Sequence, residues 1–244
     1  MFYESLRDYI YDKILGSATL GEGSTTSLYR KALESIPPNS RVLDVGIGNG
    51  TCAVENMGII RKKNIRITGI DIDTGYIQAA KQKIMVANAG SHITANVVDL
   101  MSIEDQKWDF ILFSESYPVI DSELMSSLWK ASLKLLEPGG KILMIHNLCD
   151  HPAPLFKLFK TNAKYFTLVD FGKTTSMDEF VSHLRENNLR IKGKRVLFPM
   201  LMTSYPKHIR TSFLANILAF ITGTTSNSGW RKNNQWLFEI EEIL

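Results

Sequence analysis

Cysteine is almost missing from this chain: Cys52 and Cys149 are the two thiols in 244 residues. Two thiols build no disulfide framework and no zinc spacing, so reduced, partly buried thiols and a cytoplasmic setting are expected. Long apolar runs are missing as well. The stretch 213–221 contains Asn216 and falls short of the roughly 20 residues a spanning helix needs. The first fifteen residues carry Glu4, Asp8 and Asp12, so neither a signal peptide nor a transit peptide is expected there. Charge of one sign is scarce too. The formal net charge is +3, too mild to indicate nucleic acid by itself. No internal repeat and no low-complexity tract is present. A set of carboxylates that would hold magnesium is lacking: Asp150 with Asn147 does not suffice, so no metal is expected. What remains is ordinary globular composition, 44% hydrophobic and 22% charged. It suits one well-buried core and a single domain over 1–244.

The most informative stretch is 41–50, Arg-Val-Leu-Asp-Val-Gly-Ile-Gly-Asn-Gly. It begins as an apolar strand and ends with glycine at every second position. Glycine permits left-handed backbone angles and leaves no Cβ between backbone and ligand. Residues 51–63 read as the helix that follows, with amide N–H groups opening onto the same turn, a geometry suited to a nucleoside-containing ligand. Gly48, Gly50 and Ala53 satisfy the bare dinucleotide spacing, so the glycines alone do not choose the ligand. Asp44 does. A carboxylate at the strand end would repel a pyrophosphate and attract an ammonium or sulfonium, directly or through a water. This pattern, apolar-apolar-Asp-x-Gly-x-Gly-x-Gly, resembles motif I of the class I S-adenosylmethionine (SAM)-dependent methyltransferases.

Three later features agree with that resemblance. The second strand, 65–71, ends in Asp71 about 20 residues after the glycines, where an acid accepts both ribose hydroxyls. Asp73 competes for the role, but it precedes a helix over 74–88 and reads as its N-cap, so the ribose goes to Asp71. The third strand, 92–100, carries Asp99, which resembles the family's acceptor for the adenine amino group, with the Leu100 N–H beside it. The stretch Leu135-Leu136-Glu137-Pro138-Gly139-Gly140-Lys141 resembles the family's turn before its fifth strand, here 141–146. The resemblance covers 41–147. It implies a SAM cofactor, with S-adenosyl-L-homocysteine as product, held by Asp44, Gly46, Ile47, Gly48, Asn49, Gly50, Asp71, Ile72, Asp99, Leu100, Ser114 and Glu115.

Around that core the periodicity predicts helices over 2–15 and 28–36, with a loop over 17–27 between them. Residues 1–40 form either a lid over the cofactor or a solvated connector. An uninterrupted apolar strand over 108–113 suits a central position. Helices are expected over 122–136, 177–188 (capped by Ser176) and 205–221, and strands over 189–198 and 235–240. The alternation predicts an α/β fold: a doubly wound, mostly parallel seven-stranded sheet, an antiparallel last strand and helices on both faces. The C-terminal half, 148–244, holds the segments expected to shape the acceptor site.

The expected chemistry is transfer of a methyl group from SAM to O or N of a small molecule. The protein needs mainly to align the acceptor, so a catalytic base is optional. His146, ending the fifth strand, is the best base candidate, and a hydrogen-bonded strand-end histidine is the alternative. Tyr117 lines the methyl-transfer site or merely packs. Glu115 contacts the methionine end of SAM, binds a cationic acceptor, or is a surface acid. The Asn/Asp-Pro-Pro-Tyr/Phe turn of adenine and glutamine amino-methyltransferases is replaced by Ser114-Glu115-Ser116-Tyr117. Arg190, Lys192, Lys194 and Arg195 form either an anion patch or solvated surface, with solvated surface favoured by the charge balance. The rival functions are an RNA or protein methyltransferase and a non-catalytic SAM-binding subunit.

Overall fold

Strand β1 (Arg41–Val45) lies near the middle of a seven-stranded sheet of order β3-β2-β1-β4-β5-β7-β6 in a computed structural model. The structure describes residues 24–114, 116, 122–148, 175–199 and 234–243. The other strands are β2 (Arg66–Asp71), β3 (Ile93–Val97), β4 (Trp108–Ser114), β5 (Leu136–Leu148), β6 (Leu189–Pro199) and β7 (Asn234–Glu242). Strands β1 to β5 pair in parallel, and β7 runs antiparallel between β5 and β6. Six strands therefore share one direction. The order reverses at β1, where β2 and β4 flank it, and this is the switch point at which ligands bind in open α/β sheets.

Side-chain alternation sends one set of strand residues to each face. Val42, Ile67 and Leu112 pack beneath α1 (Thr25–Ser35), α2 (Thr51–Glu55), α3 (Met57–Lys63) and α4 (Thr74–Val86). Leu43, Ile111 and Met144 pack beneath α5 (Ser122–Leu135) and α6 (Met177–Glu186). The doubly wound prediction matches this arrangement.

Several boundaries differ from the sequence expectation, each for a local reason. The first described helix starts at Thr25 rather than residue 28, because the Ser24 hydroxyl accepts from the Ser27 N–H and caps it. The helix expected over 51–63 is broken at Asn56. Its buried side chain donates to the Thr26 and Cys52 carbonyls and accepts from Arg30 Nε, competing with the helix backbone. The Pro-Gly-Gly turn does not precede β5 but lies within it. Trp108 pairs with Leu136, the register then slips, and Phe110 pairs with Lys141, with Gly139 at φ +80° in the bulge. Asp73 caps α4 through the Gly75 and Tyr76 N–H groups, and Ser176 with Glu179 forms a capping box on α6. The helices expected over 2–15 and 205–221, and all of 149–174, lie outside the described residues.

The basic strand is occupied internally. Glu241 on β7 accepts from both Arg190 (2.7 Å) and Lys192 (2.6 Å), and Lys194 sits over the Trp236 ring. Arg195 donates to the Lys31 carbonyl. These pairings favour the solvated-surface reading. Among the described residues, no helix is long and apolar enough to cross a membrane, and no three His, Cys, Asp or Glu side chains gather as metal ligands.

Candidate active site

The glycine turn after β1 is pinned on three sides. The Gly46 and Ile47 N–H groups both donate to the Ile70 carbonyl of β2, at 2.8 and 3.1 Å. Two residues past the end of β4, Ser116 donates its hydroxyl to the Val45 carbonyl at 2.9 Å. Asp71 completes the set: Oδ2 accepts from the Gly48 N–H (3.1 Å) and Oδ1 from the Asp73 N–H (3.0 Å). Asp71 thus ties the end of β2 to the turn, and its remaining lone pairs stay available to a ligand hydroxyl.

The three glycines have different reasons for lacking a side chain. Gly46, Gly48 and Gly50 all have left-handed φ, at +80°, +57° and +73°. A Cβ on Gly46 would stand 2.9 Å from Ser116 Cβ, and one on Gly50 would stand 3.1 Å from Ala80 Cβ. A Cβ on Gly48 would meet nothing within 4 Å among the described residues. Gly48 is therefore the position where the backbone is bare toward open space at the carboxyl ends of β1 and β2.

Gly69, inside β2, was not singled out by the sequence as part of the site. A Cβ there would lie 2.2 Å from Ile47 Cδ1 and 2.9 Å from Ile47 Cβ. The isoleucine of the turn thus seats directly on the strand backbone. The signal was present, since glycine in a strand interior marks a close approach. Gly69→Ala is expected to lose about 1–3 kcal/mol through overpacking and to shift the turn. A lowered melting temperature together with weaker ligand binding checks this; an unaltered melt refutes the packing argument.

Asp44 is the buried charge of the site, 1% exposed. Its Oδ2 accepts a 2.8 Å hydrogen bond from the Tyr29 phenol on α1, and its Oδ1 is buried with no hydrogen-bond partner among the described residues. Burial pushes its carboxyl from an ordinary 3.8 up to about 7; the Tyr29 bond opposes that rise and nearby Asp71 adds to it. Burial, then Asp44, pushes the Tyr29 phenol well above its ordinary value, so it remains a donor. An unsatisfied buried carboxylate oxygen is costly, and a cationic ligand group is one means of satisfying it.

Ile72 is 79% exposed beside Asp71, an apolar side chain just past the carboxyl end of β2. Asn49 accepts from Thr51 through its side chain and holds the start of α2. Asp99 is exposed and caps the short 3₁₀ turn Leu100–Ser102 by accepting from the Met101 N–H, while the Leu100 side chain is buried in the core. Ser114 ends β4 on the Asp44 face of the sheet, paired in register with Ile145. Glu115 and Tyr117 lie outside the described residues. His146 is fully buried on the opposite face, its ring 5.8 Å from that of Phe180 on α6. That packing favours the strand-end histidine over the base. Asn147, next in the strand, turns toward the Asp44 face, with a buried Oδ1 that has no hydrogen-bond partner among the described residues.

Residues 42–140 match the family model described as a methyltransferase domain. The chain is 27% identical over 143 residues to a ubiquinone/menaquinone biosynthesis C-methyltransferase of Geotalea daltonii, a match covering 58% of this chain and 59% of that protein's length. It is 24% identical over 228 residues to a carboxy-S-adenosyl-L-methionine synthase of Alteromonas mediterranea, covering 88% of this chain and 91% of the relative. Among solved structures, geranyl diphosphate C-methyltransferase from Streptomyces coelicolor A3(2), in complex with S-adenosyl-L-homocysteine, superposes with a TM-score of 0.63 at 14% identity. That superposition covers 97% of this chain and 84% of the other. That superposition shows that this chain's seven-stranded mixed sheet with helices shares its fold with the Streptomyces coelicolor structure.

Proposed function

Taking residues 42–140 as a methyltransferase domain on a class I Rossmann-like fold, we propose that the protein is a SAM-dependent methyltransferase acting on a small-molecule acceptor. The observation that carries this reading is the bare backbone of Gly48, open on its Cβ side, with Asp71 fastened beneath it and Asp44 behind it. Gly48 lets the nucleoside approach the turn. Asp71 accepts from the ribose hydroxyls, Ile72 covers one side of the adenine, and Asp99 accepts from the adenine amino group. Asp44, through Oδ1, attracts the cationic methionine end. Ser114, at the end of β4 on the Asp44 face, is assigned to the cofactor as well. SAM, when bound, supplies a methyl group already activated on a sulfonium. The residues need only align the acceptor and exclude water, and a proton acceptor is optional. His146 is read as packing, given its full burial beside Phe180.

For the acceptor, O or N of a small molecule remains the first reading. The ion pairing of the basic strand supports a small acceptor over a nucleic acid. A carbon acceptor is the second reading, favoured by the likeness to two proteins named as C-methyltransferases.

Calorimetry with SAM and with NAD, followed by detection of S-adenosylhomocysteine over a panel of acceptors, tests the proposal. SAM binding with turnover on a small acceptor is expected; preference for NAD overturns it. SAM binding with no turnover on any acceptor favours the non-catalytic subunit instead. Asp71→Ala is expected to weaken SAM by about 1–3 kcal/mol through lost ribose hydrogen bonds. Asp73→Ala is expected to cost about 1 kcal/mol of stability as a lost cap, with SAM affinity little changed. If the two variants exchange these effects, the ribose has been assigned to the wrong acid.

A further inference from the structure

We infer that Tyr29 is a positioning residue for the cofactor's cationic end: its phenol holds Asp44 Oδ2 and so presents Oδ1, which has no hydrogen-bond partner among the described residues, to the ligand. This rests on reading the cleft as a SAM site. Tyr29 comes from α1, upstream of the matched domain, yet it reaches the carboxylate at the end of β1.

The reach is fixed by how α1 is fastened to α2. Asn56 donates to the Thr26 carbonyl and accepts from Arg30 Nε, and the Thr26 hydroxyl donates to Glu55 at 2.9 Å. Tyr29 is itself 1% exposed, with Leu28, Ala32 and Leu33 of the same helix buried around it. The phenol therefore has little freedom to let go of Asp44. A carboxylate has two oxygens of similar basicity. A fixed donor on one of them sets the plane of the group and leaves the second with one direction in which to accept.

The same arrangement couples binding to a proton. Without ligand the Asp44 carboxyl keeps its proton until about pH 7. A cationic ligand group favours the ionised form, so SAM binding below that pH expels a proton. Among the described residues, the titratable groups facing the pair are Asp71 from β2, which raises the Asp44 value, and Cys52 from α2, which faces Tyr29. Tyr29 works against burial, since its hydrogen bond favours the ionised carboxylate.

The test is SAM titration calorimetry from about pH 5 to about pH 9 on wild type, Tyr29→Phe, Asp44→Asn and the double variant. Wild-type affinity is expected to rise with pH and level off above about 7, with proton uptake by the buffer on the acid side. Tyr29→Phe keeps the ring and its packing. It is expected to bind SAM about tenfold more weakly at neutral pH and to shift the midpoint up by about one unit. In the Asp44→Asn background, Tyr29→Phe is expected to change affinity by less than about twofold. A Tyr29→Phe variant with the wild-type midpoint and affinity overturns the inference. So does an equal loss in the Asp44→Asn background, which marks Tyr29 as merely structural. In both outcomes wild type still binds SAM and the site reading stands. Wild type that binds no SAM at any pH overturns the site reading, and the inference with it.

Discussion

Gly48→Arg is expected to fold and to lose SAM. The two halves of that result come from one geometric fact. A Cβ on Gly48 meets nothing within 4 Å among the described residues, so these leave room for a side chain there. The φ of +57° costs a non-glycine residue about 1–2 kcal/mol, which is tolerable in a domain of this size. The open space is the proposed approach of the cofactor to the turn, and arginine fills it. Affinity is expected to fall by about 100-fold or more, a loss of nearly 3 kcal/mol. Thermal melting and SAM calorimetry on the same preparation separate the effects: a melt within a few degrees of wild type and no measurable heat of binding are expected. Unaltered SAM affinity would put the cofactor elsewhere. Gly46 and Gly50 would not give this clean separation, because their Cβ atoms would press on Ser116 and Ala80.

Asp44→Asn is expected to stabilise the ligand-free protein above neutral pH while weakening SAM. In the unfolded chain the Asp44 carboxyl loses its proton near 3.8, and in the folded protein it keeps it until about 7. Between those values the folded state binds the extra proton, so stability falls as pH rises and the deficit is constant above about 7. At about 1.4 kcal/mol per pH unit, the cost accumulated by pH 8 is about 4 kcal/mol. Asparagine is nearly isosteric, can still accept from Tyr29, and carries no charge. Urea unfolding of both proteins without ligand, at a series of pH values, is the measurement. The stability difference is expected to move in favour of Asp44→Asn from pH 4 to about pH 7 and then to hold. Parallel profiles for the two proteins would show that Asp44 ionises in the folded state as freely as in the unfolded one. The proposed reason for keeping so costly a group is the ligand: a carboxylate buried beside the cofactor binds a cation more strongly than one exposed to water.

The core strands were legible from residue pattern alone. The apolar run ending in Asp44, the strand ending in Asp71 and the uninterrupted strand at 108–113 all formed where alternation and turn residues put them. The caps at Asp73 and Ser176 were legible for the same reason, because a cap is a local bargain between a side chain and the N–H groups two and three residues on. Less was legible where a distant segment decides. The break at Asn56 depends on Thr26 and Arg30, and the slip of the Pro-Gly-Gly turn into β5 depends on Trp108 pairing with Leu136.

Sequence by itself supplied the glycine spacing and the carboxylates at strand ends on which the proposed ligand rests, since these are properties of adjacent residues. It also determined the layering, because a period of two and a period of 3.6 each choose one face. Tertiary structure alone decided what those acids do to each other and to their neighbours. Asp44 and Tyr29 are far apart in local pattern, and so are Gly69 and Ile47, yet folding brings each pair into contact. The same holds for His146, whose place on the α6 face follows from strand parity and from Phe180, not from its position at a strand end. Burial, and the pKa and packing that come with it, belongs to the assembled sheet and helices, because only their close packing removes water from a given side chain.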